Sequence, residues 1–255
     1  MSVVAIAARL GFAMMLLAQT TVVNAADIKI SSTSAFRPVI TELGSPFERM
    51  MGHKLITNFV AGPDLVKRQI EAGEAFDVAI SISAVIDDLV KNGKIVPTTR
   101  ADVARTGIGV AVRAGAPKPD ISSVEAFKRA MLHTKSVAYA TEGRSGLHFL
   151  SLRERFGIAE AMKPKLEALT TATCNEAVAK GEVEIAVLLI AGIVSASGVE
   201  LAGPLPSEVQ SYLRFTAGAG TDAKSPEAAN ARIEFLTSPA AIPVIKAKGM
   251  EAGAP

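Results

Sequence analysis

The residue of this chain best suited to chemistry with an anion is Arg144, inside the glycine-rich link Thr141-Glu142-Gly143-Arg144-Ser145-Gly146-Leu147. A guanidinium can hold a carboxylate through two parallel hydrogen bonds. Ser145 and the unpaired backbone N–H groups of a helix start stand beside it in sequence, and both favour an anion. A solvated loop charge is the alternative reading of Arg144. His148 follows at i+4 on the same helix face, and Glu142 lies just upstream. Should the site move a proton, these two, with Tyr139 and Asp64 as further candidates, could serve as base and acid; a lone histidine in a helix also reads as a structural residue.

A second anion-receptive unit lies at residues 55–83. Residues 55–60 read as a buried strand, Ala61-Gly62-Pro63-Asp64 as a tight turn opening a helix, and residues 78–81 as an apolar strand ending in hydroxyls. Pro63 suits the first helical turn because its missing N–H is unneeded there. In open α/β sheets, ligands collect beyond the carboxyl ends of strands, where helix starts present N–H groups. The candidate ligand contacts are therefore Gly62 and Asp64 at this turn, Ser81 and Ser83 after the second strand, and Ser32, Thr33 and Ser34 after the first strand of the chain. Each of these hydroxyls also has a plainer reading as a turn or helix cap. Thr173, near a short helix, is a further candidate with the same alternative.

These loops need a scaffold that alternates strand and helix. Strand-type runs at residues 28–31, 55–60, 78–81, 107–112, 136–139, 185–190 and 213–219 are separated by helical patterns, which predicts parallel α/β lobes. A capping box at Ser122 and Glu125 opens one helix. Ser225-Pro226 and Ser238-Pro239 each place a cap before a proline and predict two closing helices. His53 and His133 read as surface residues at helix ends.

Residues 1–25 carry one charge, Arg9, then an apolar run over residues 10–18, then Val23-Asn24-Ala25. That is the pattern of a cleavable signal peptide, and the run is well short of the ~20 residues of a membrane-spanning helix. The mature chain is expected to begin at Ala26, in the periplasm where the host has an outer membrane. Removing Arg9 leaves 26 basic residues against 25 acidic ones, a formal charge of +1; this balance argues against nucleic acid as a partner. The single cysteine, Cys174, cannot form an internal disulfide and reads as a buried, inert thiol. No zinc-spaced cluster, nucleophile elbow or dinucleotide fingerprint is present, so no metal or cofactor is expected.

Three segments carry a family resemblance: DIKISSTSAF after the signal peptide, LVKRQIEAGEAFDVAIS, and the closing AANARIEFLTSPAAIPVIKAKGM. Together they resemble the extracellular solute-binding proteins of the molybdate-binding type, over essentially all of residues 27–250. RADVARTGIGVAVRAGAPKPDISSVEAFKRAM is similar to a subgroup resembling the periplasmic aconitate isomerase. The resemblance implies an α/β, two-lobed type 2 periplasmic binding protein with a hinge of two crossing strands. The loops around residues 107–112 and 213–219 place residues 26–107 and 212–255 in lobe 1 and residues 108–211 in lobe 2. The resemblance also implies an ABC transporter membrane component as a partner, and a monomer.

Of the family's oxyanion ligands, Ser34 matches the first serine. The second serine falls within Gly62-Pro63-Asp64 and is absent, and the expected tyrosine falls near Leu189. With two distinctive ligands missing and Arg144 present, the ligand expected in the interlobe cleft is a small organic anion, a di- or tricarboxylate. Two alternatives stand beside this: an isomerase interconverting trans- and cis-aconitate by a proton shift, and a molybdate- or tungstate-binding protein.

Overall fold

A computed structural model describes residues 25–141 and 143–253. The expected signal peptide, all but Ala25, and the candidate Glu142 lie outside the described residues. In chain order the first lobe contributes β1 (Asp27–Thr33), α1 (Arg37–Met51), β2 (Lys54–Val60), α2 (Pro63–Glu71), β3 (Val78–Ile82), α3 (Ser83–Lys91) and β4 (Ala101–Thr106). The second contributes β5 (Ile108–Arg113), α4 (Val124–His133), β6 (Val137–Ala140), α5 (Arg144–Arg155), α6 (Ala159–Met162), β7 (Leu166–Leu169), α7 (Thr171–Lys180), β8 (Ile185–Leu189), α8 (Ile190–Val194) and β9 (Val199–Pro204). The chain then returns through β10 (Leu213–Ala219), α9 (Pro226–Thr237), α10 (Ile242–Ala247) and β11 (Glu251–Ala252).

Two sheets result, ordered β11-β4-β10-β3-β1-β2 and β7-β6-β8-β5-β9. Each is covered on both faces, which explains why their inner strands are apolar runs and not alternating ones. In the first sheet, Ile28, Ile30, Val78 and Ile80 pack with α1, α9 and α10, and Ala79 packs under α2 and α3. In the second, Val110, Val137 and Val187 pack against α4, α5 and α6, while Ala138, Ala186 and Leu188 meet α7 and α8. Cys174 is buried in this last layer.

The sheets are mixed, not parallel throughout as the alternation predicts. β10 runs antiparallel to β3 and β4, and β5 runs antiparallel to β8 and β9. The cause is the double crossing: a chain that leaves one sheet along β4 and comes back along β10 must traverse it in opposite directions. β4, β7, β9 and β11 escape the sequence reading because they are short or polar; β7 has no buried residue.

Local details differ as well. Ser123, one residue later than expected, is the N-cap of α4 and accepts from the N–H of Ala126 at 3.2 Å, while Ser122 bonds to Asp120. Ser238-Pro239 ends α9 and forms a turn; α10 starts at Ile242. His53 is buried, its Nδ1 accepting from the N–H of Ala26 at 3.3 Å. Among the described residues no helix is long and apolar enough to cross a membrane.

α1 contains Pro46, which removes one helical hydrogen bond and pushes away the carbonyl four residues back. Arg232 of α9 packs against the same stretch of α1. It is fully buried, donates from Nη1 to the carbonyl of Leu43 at 3.2 Å, and lies over the rings of Phe47 at 5.0 Å and Phe235 at 5.8 Å. Among the described residues its Nε and Nη2 find no hydrogen-bond partner, and burial pushes its pKa down to about 10, with Glu48 acting the other way. A base whose folded pKa is depressed destabilises the fold at every pH below that value, and the cost is relieved only as pH rises through about 10. Arg232→Met, which keeps the aliphatic stem and removes the charge, is therefore expected to leave stability unchanged or raise it by up to ~4 kcal/mol. The difference in urea midpoint from wild type should be constant between about pH 6 and 9; a loss of stability would show that the cation is needed in the core.

Candidate functional site

Topology directs six strand ends to one place. β4 runs parallel to β1, β2 and β3 and passes through Gly107 directly into β5. The carboxyl ends of the first lobe's parallel strands therefore face the junction. In the second lobe Ile108, at the start of β5, lies opposite Leu189, at the end of β8, and β6 and β7 run parallel to β8. Their carboxyl ends face the same junction. The crossing segments are tied by Gln210, whose Oε1 accepts from the N–H of Ile108 at 2.8 Å and whose Nε2 donates to its carbonyl at 2.9 Å.

Two of these six ends open helices from the same kind of cap. Gly62 precedes α2 with φ 89° and ψ 148°, and Gly143 precedes α5 with φ 85° and ψ −175°. This region of backbone space is essentially closed to side chains. Neither glycine can supply a capping oxygen, so the first N–H groups of both helices receive no side-chain cap. A Cβ at either position would meet nothing within 4 Å, so these turns stand open. α5 is pinned by Gly146, where any side chain would run into the carbonyl of Ala140 at the end of β6.

Arg144 is the first residue of α5 and is exposed. Its guanidinium makes no ion pair or hydrogen bond with any described residue. A cation at a helix N-terminus opposes the helix dipole, so the positive potentials of the side chain and of the uncapped N–H groups add. Ser145 beside it is buried. His148 is half-buried, and its Nε2 lies 2.7 Å from the carbonyl of Val209 on the return crossing. A carbonyl only accepts, so Nε2 carries the proton and Nδ1 is the unprotonated nitrogen of the neutral ring.

The other predicted residues lie at the same strand ends, but several hydroxyls are engaged within the fold. Ser34 donates to the carbonyl of Val60 at 3.0 Å, tying the end of β1 to the end of β2, and buried Ser32 donates to the carbonyl of Thr33 at 3.2 Å. Thr33 is buried at the last position of β1. Ser83 donates to Thr216 at 2.8 Å, which in turn donates to Asp102 at 2.8 Å. Thr173 closes a capping box with Thr170 at the start of α7. Ser81 is fully buried, and its Oγ has no hydrogen-bond partner among the described residues. Asp64 is exposed in the first turn of α2, where the helix dipole favours a carboxylate. α2 and α3 are joined by Lys67 and Asp88 at 3.1 Å, a bond that holds the Asp88 carboxyl below its usual range.

At the end of β8, the N–H of Ile190 bonds to the carbonyl of Gly107 at 2.9 Å and that of Ala191 to Thr106 Oγ1 at 3.1 Å. Thr106 also donates to the carbonyl of Gly249 at 3.1 Å. The helix after Leu189 thus spends its N–H groups on the crossing. Sequence reasoning missed Thr106 and Gln210, whose partners lie far along the chain. Among the described residues no group of histidine, cysteine or carboxylate side chains could hold a metal ion.

Because both glycine caps require φ values that side chains rarely adopt, Gly62→Ala and Gly143→Ala should each cost ~1–3 kcal/mol in urea denaturation. Unchanged midpoints would mean that the turns relax into ordinary caps.

Residues 28–251 match the family model for the bacterial extracellular solute-binding proteins. Among curated relatives, an aconitate isomerase from a Pseudomonas species is 26% identical over 247 residues, covering 93% of each chain. The molybdate-binding protein ModA of Azotobacter vinelandii is 30% identical over 240 residues, covering 89% of this chain and 90% of its own. Among solved structures, a substrate-binding domain assigned to a molybdenum ABC transporter of Clostridium difficile superposes with a TM-score of 0.77 at 16% identity, covering 89% of this chain and 99% of that one.

Proposed function

We propose that this chain, which belongs to the bacterial extracellular solute-binding proteins of the molybdate-binding type, captures a small organic anion, a di- or tricarboxylate, between its lobes. One observation carries the reading: the guanidinium of Arg144, without a partner among the described residues, on an uncapped helix start at the edge where six strand ends converge. The fold holds positive charge on positive potential there, and a carboxylate relieves it with two parallel hydrogen bonds. A tetrahedral oxyanion fits less well. The positions of the missing serine and tyrosine ligands carry Gly62 to Asp64 and Leu189.

In this reading residues 26–107 with 212–255 form one lobe and residues 108–211 the other, closing about the Gln210 junction. The chain is exported, works in the periplasm as a monomer, and hands its ligand to the membrane component of an ABC transporter.

A second reading makes the same cleft an aconitate isomerase. It is favoured by His148, one turn from Arg144, whose bond to Val209 leaves Nδ1 as the proton acceptor, and by the isomerase among its relatives. The binder takes precedence because Arg144 and two uncapped helix starts build an anion grip, whereas His148 is committed to the carbonyl of Val209.

Trans-aconitate or citrate at a hundredfold excess over its dissociation constant should stabilise the protein by ~2.7 kcal/mol, several degrees in melting temperature. Molybdate should do less, and Arg144→Gln should weaken carboxylate binding by ~2–5 kcal/mol while leaving the fold intact. Stabilisation by molybdate alone would overturn the carboxylate reading. In D2O, NMR of trans-aconitate incubated with the protein should show no deuterium uptake; uptake that His148→Ala abolishes would make the protein the isomerase.

A further inference from the structure

Two arginines among the described residues begin α-helices, and they belong to different lobes: Arg144 on α5 and Arg37 on α1. Arg49, Arg68, Arg153 and Arg155 instead occupy last turns, where the helix dipole favours a cation. Arg37 follows the short 3-10 turn Ser34–Phe36 at the end of β1, so it stands at the same junction as Arg144, approached from the opposite sheet. Its side chain is exposed and makes no ion pair or hydrogen bond with any described residue.

Arg37 is nevertheless held. Its Cζ lies 4.1 Å from the ring centroid of Phe59, the next-to-last residue of β2. The turn before it is anchored by fully buried Phe36, packed on Phe215, and by the bond from Ser34 to Val60. Stacking occupies the flat face of a guanidinium and leaves its in-plane N–H donors available along the edges, the arrangement that carboxylate recognition uses. Among the described residues, the first turns of α1, α2 and α5 at this junction carry two arginines without an ion pair, one per lobe, and one exposed carboxylate, Asp64.

Resting on the carboxylate reading above, we infer that Arg37 is the second anion grip, so that the cleft selects ligands bearing carboxylates at two separated positions, one held by each lobe. Closure then brings the arginines onto opposite ends of one molecule. A monocarboxylate engages one lobe and gains nothing from closure, which makes the number of carboxylates the selected feature.

The test is calorimetric titration of the purified protein and of Arg37→Gln, Arg37→Lys and Arg144→Gln with trans-aconitate, succinate and butyrate, with circular dichroism to verify folding. Arg37→Gln should weaken trans-aconitate and succinate at least ~30-fold, the low end for losing one partner of a desolvated charge pair. Arg37→Lys should fall between it and wild type, and the preference of wild type for succinate over butyrate should disappear in Arg37→Gln. If Arg37→Gln binds both polycarboxylates within about twofold of wild type while Arg144→Gln does not, the two-arginine clamp is wrong and the single-arginine site stands. If neither substitution matters, the carboxylate reading falls with it.

Discussion

The carboxamide of Gln210 takes both hydrogen-bonding groups of Ile108 and so acts as a side-chain β-bridge between the two segments that join the lobes. Ile108 is where the first sheet ends and the second begins, and its carbonyl is also bonded by the N–H of Leu205 at 2.9 Å. A Cβ at residue 107 would lie 3.0 Å from the Gln210 carboxamide and press on this bridge, so glycine suits the position before it. Everything at the site inherits its direction from this junction. β4 enters it, β5 leaves it, and the antiparallel neighbours of those strands fix which ends of β1, β2, β3, β6, β7 and β8 converge there. Thr106 and His148 reinforce it from either side, one bonding Ala191 and Gly249, the other Val209.

Two arginines without counter-ions show how location decides the meaning of an unpaired charge. Arg232 is buried among Phe47 and Phe235 and linked to one carbonyl, and burial depresses its pKa. Water and ligand are both shut out, so it belongs to the packing of α9 against α1. Arg144 is exposed on a helix start whose N–H groups have no cap. Its solvent-facing charge is not costly in the same way, and an arriving carboxylate gains from the guanidinium and the helix together.

Much of this was legible in the sequence because it rests on local rules. The turn at Gly62 and Pro63, the glycine-rich link at Arg144 and the strand over Leu213–Ala219 follow from backbone and periodicity constraints. What was not legible depends on distant partners. No local pattern marks Gln210 as bonded to a residue 102 positions away, or Arg232 as reaching Leu43 across 189. The capping of α4 by Ser123 in place of Ser122 shows the same limit on a small scale: adjacent serines compete, and Asp120 settles the choice by claiming Ser122. Arg37 went unnoticed because its meaning lies in Phe59, on a different strand.

The central claim is that the junction edge of the two sheets, with Arg144 on it, is a carboxylate site. A crystal structure of the mature protein grown with trans-aconitate tests it most directly. The account predicts the ligand between the carboxyl ends of the parallel strands, with one carboxylate accepting two hydrogen bonds from the Arg144 guanidinium. Aconitate bound elsewhere on the surface, or held in the cleft with Arg144 pointing into solvent, would contradict it.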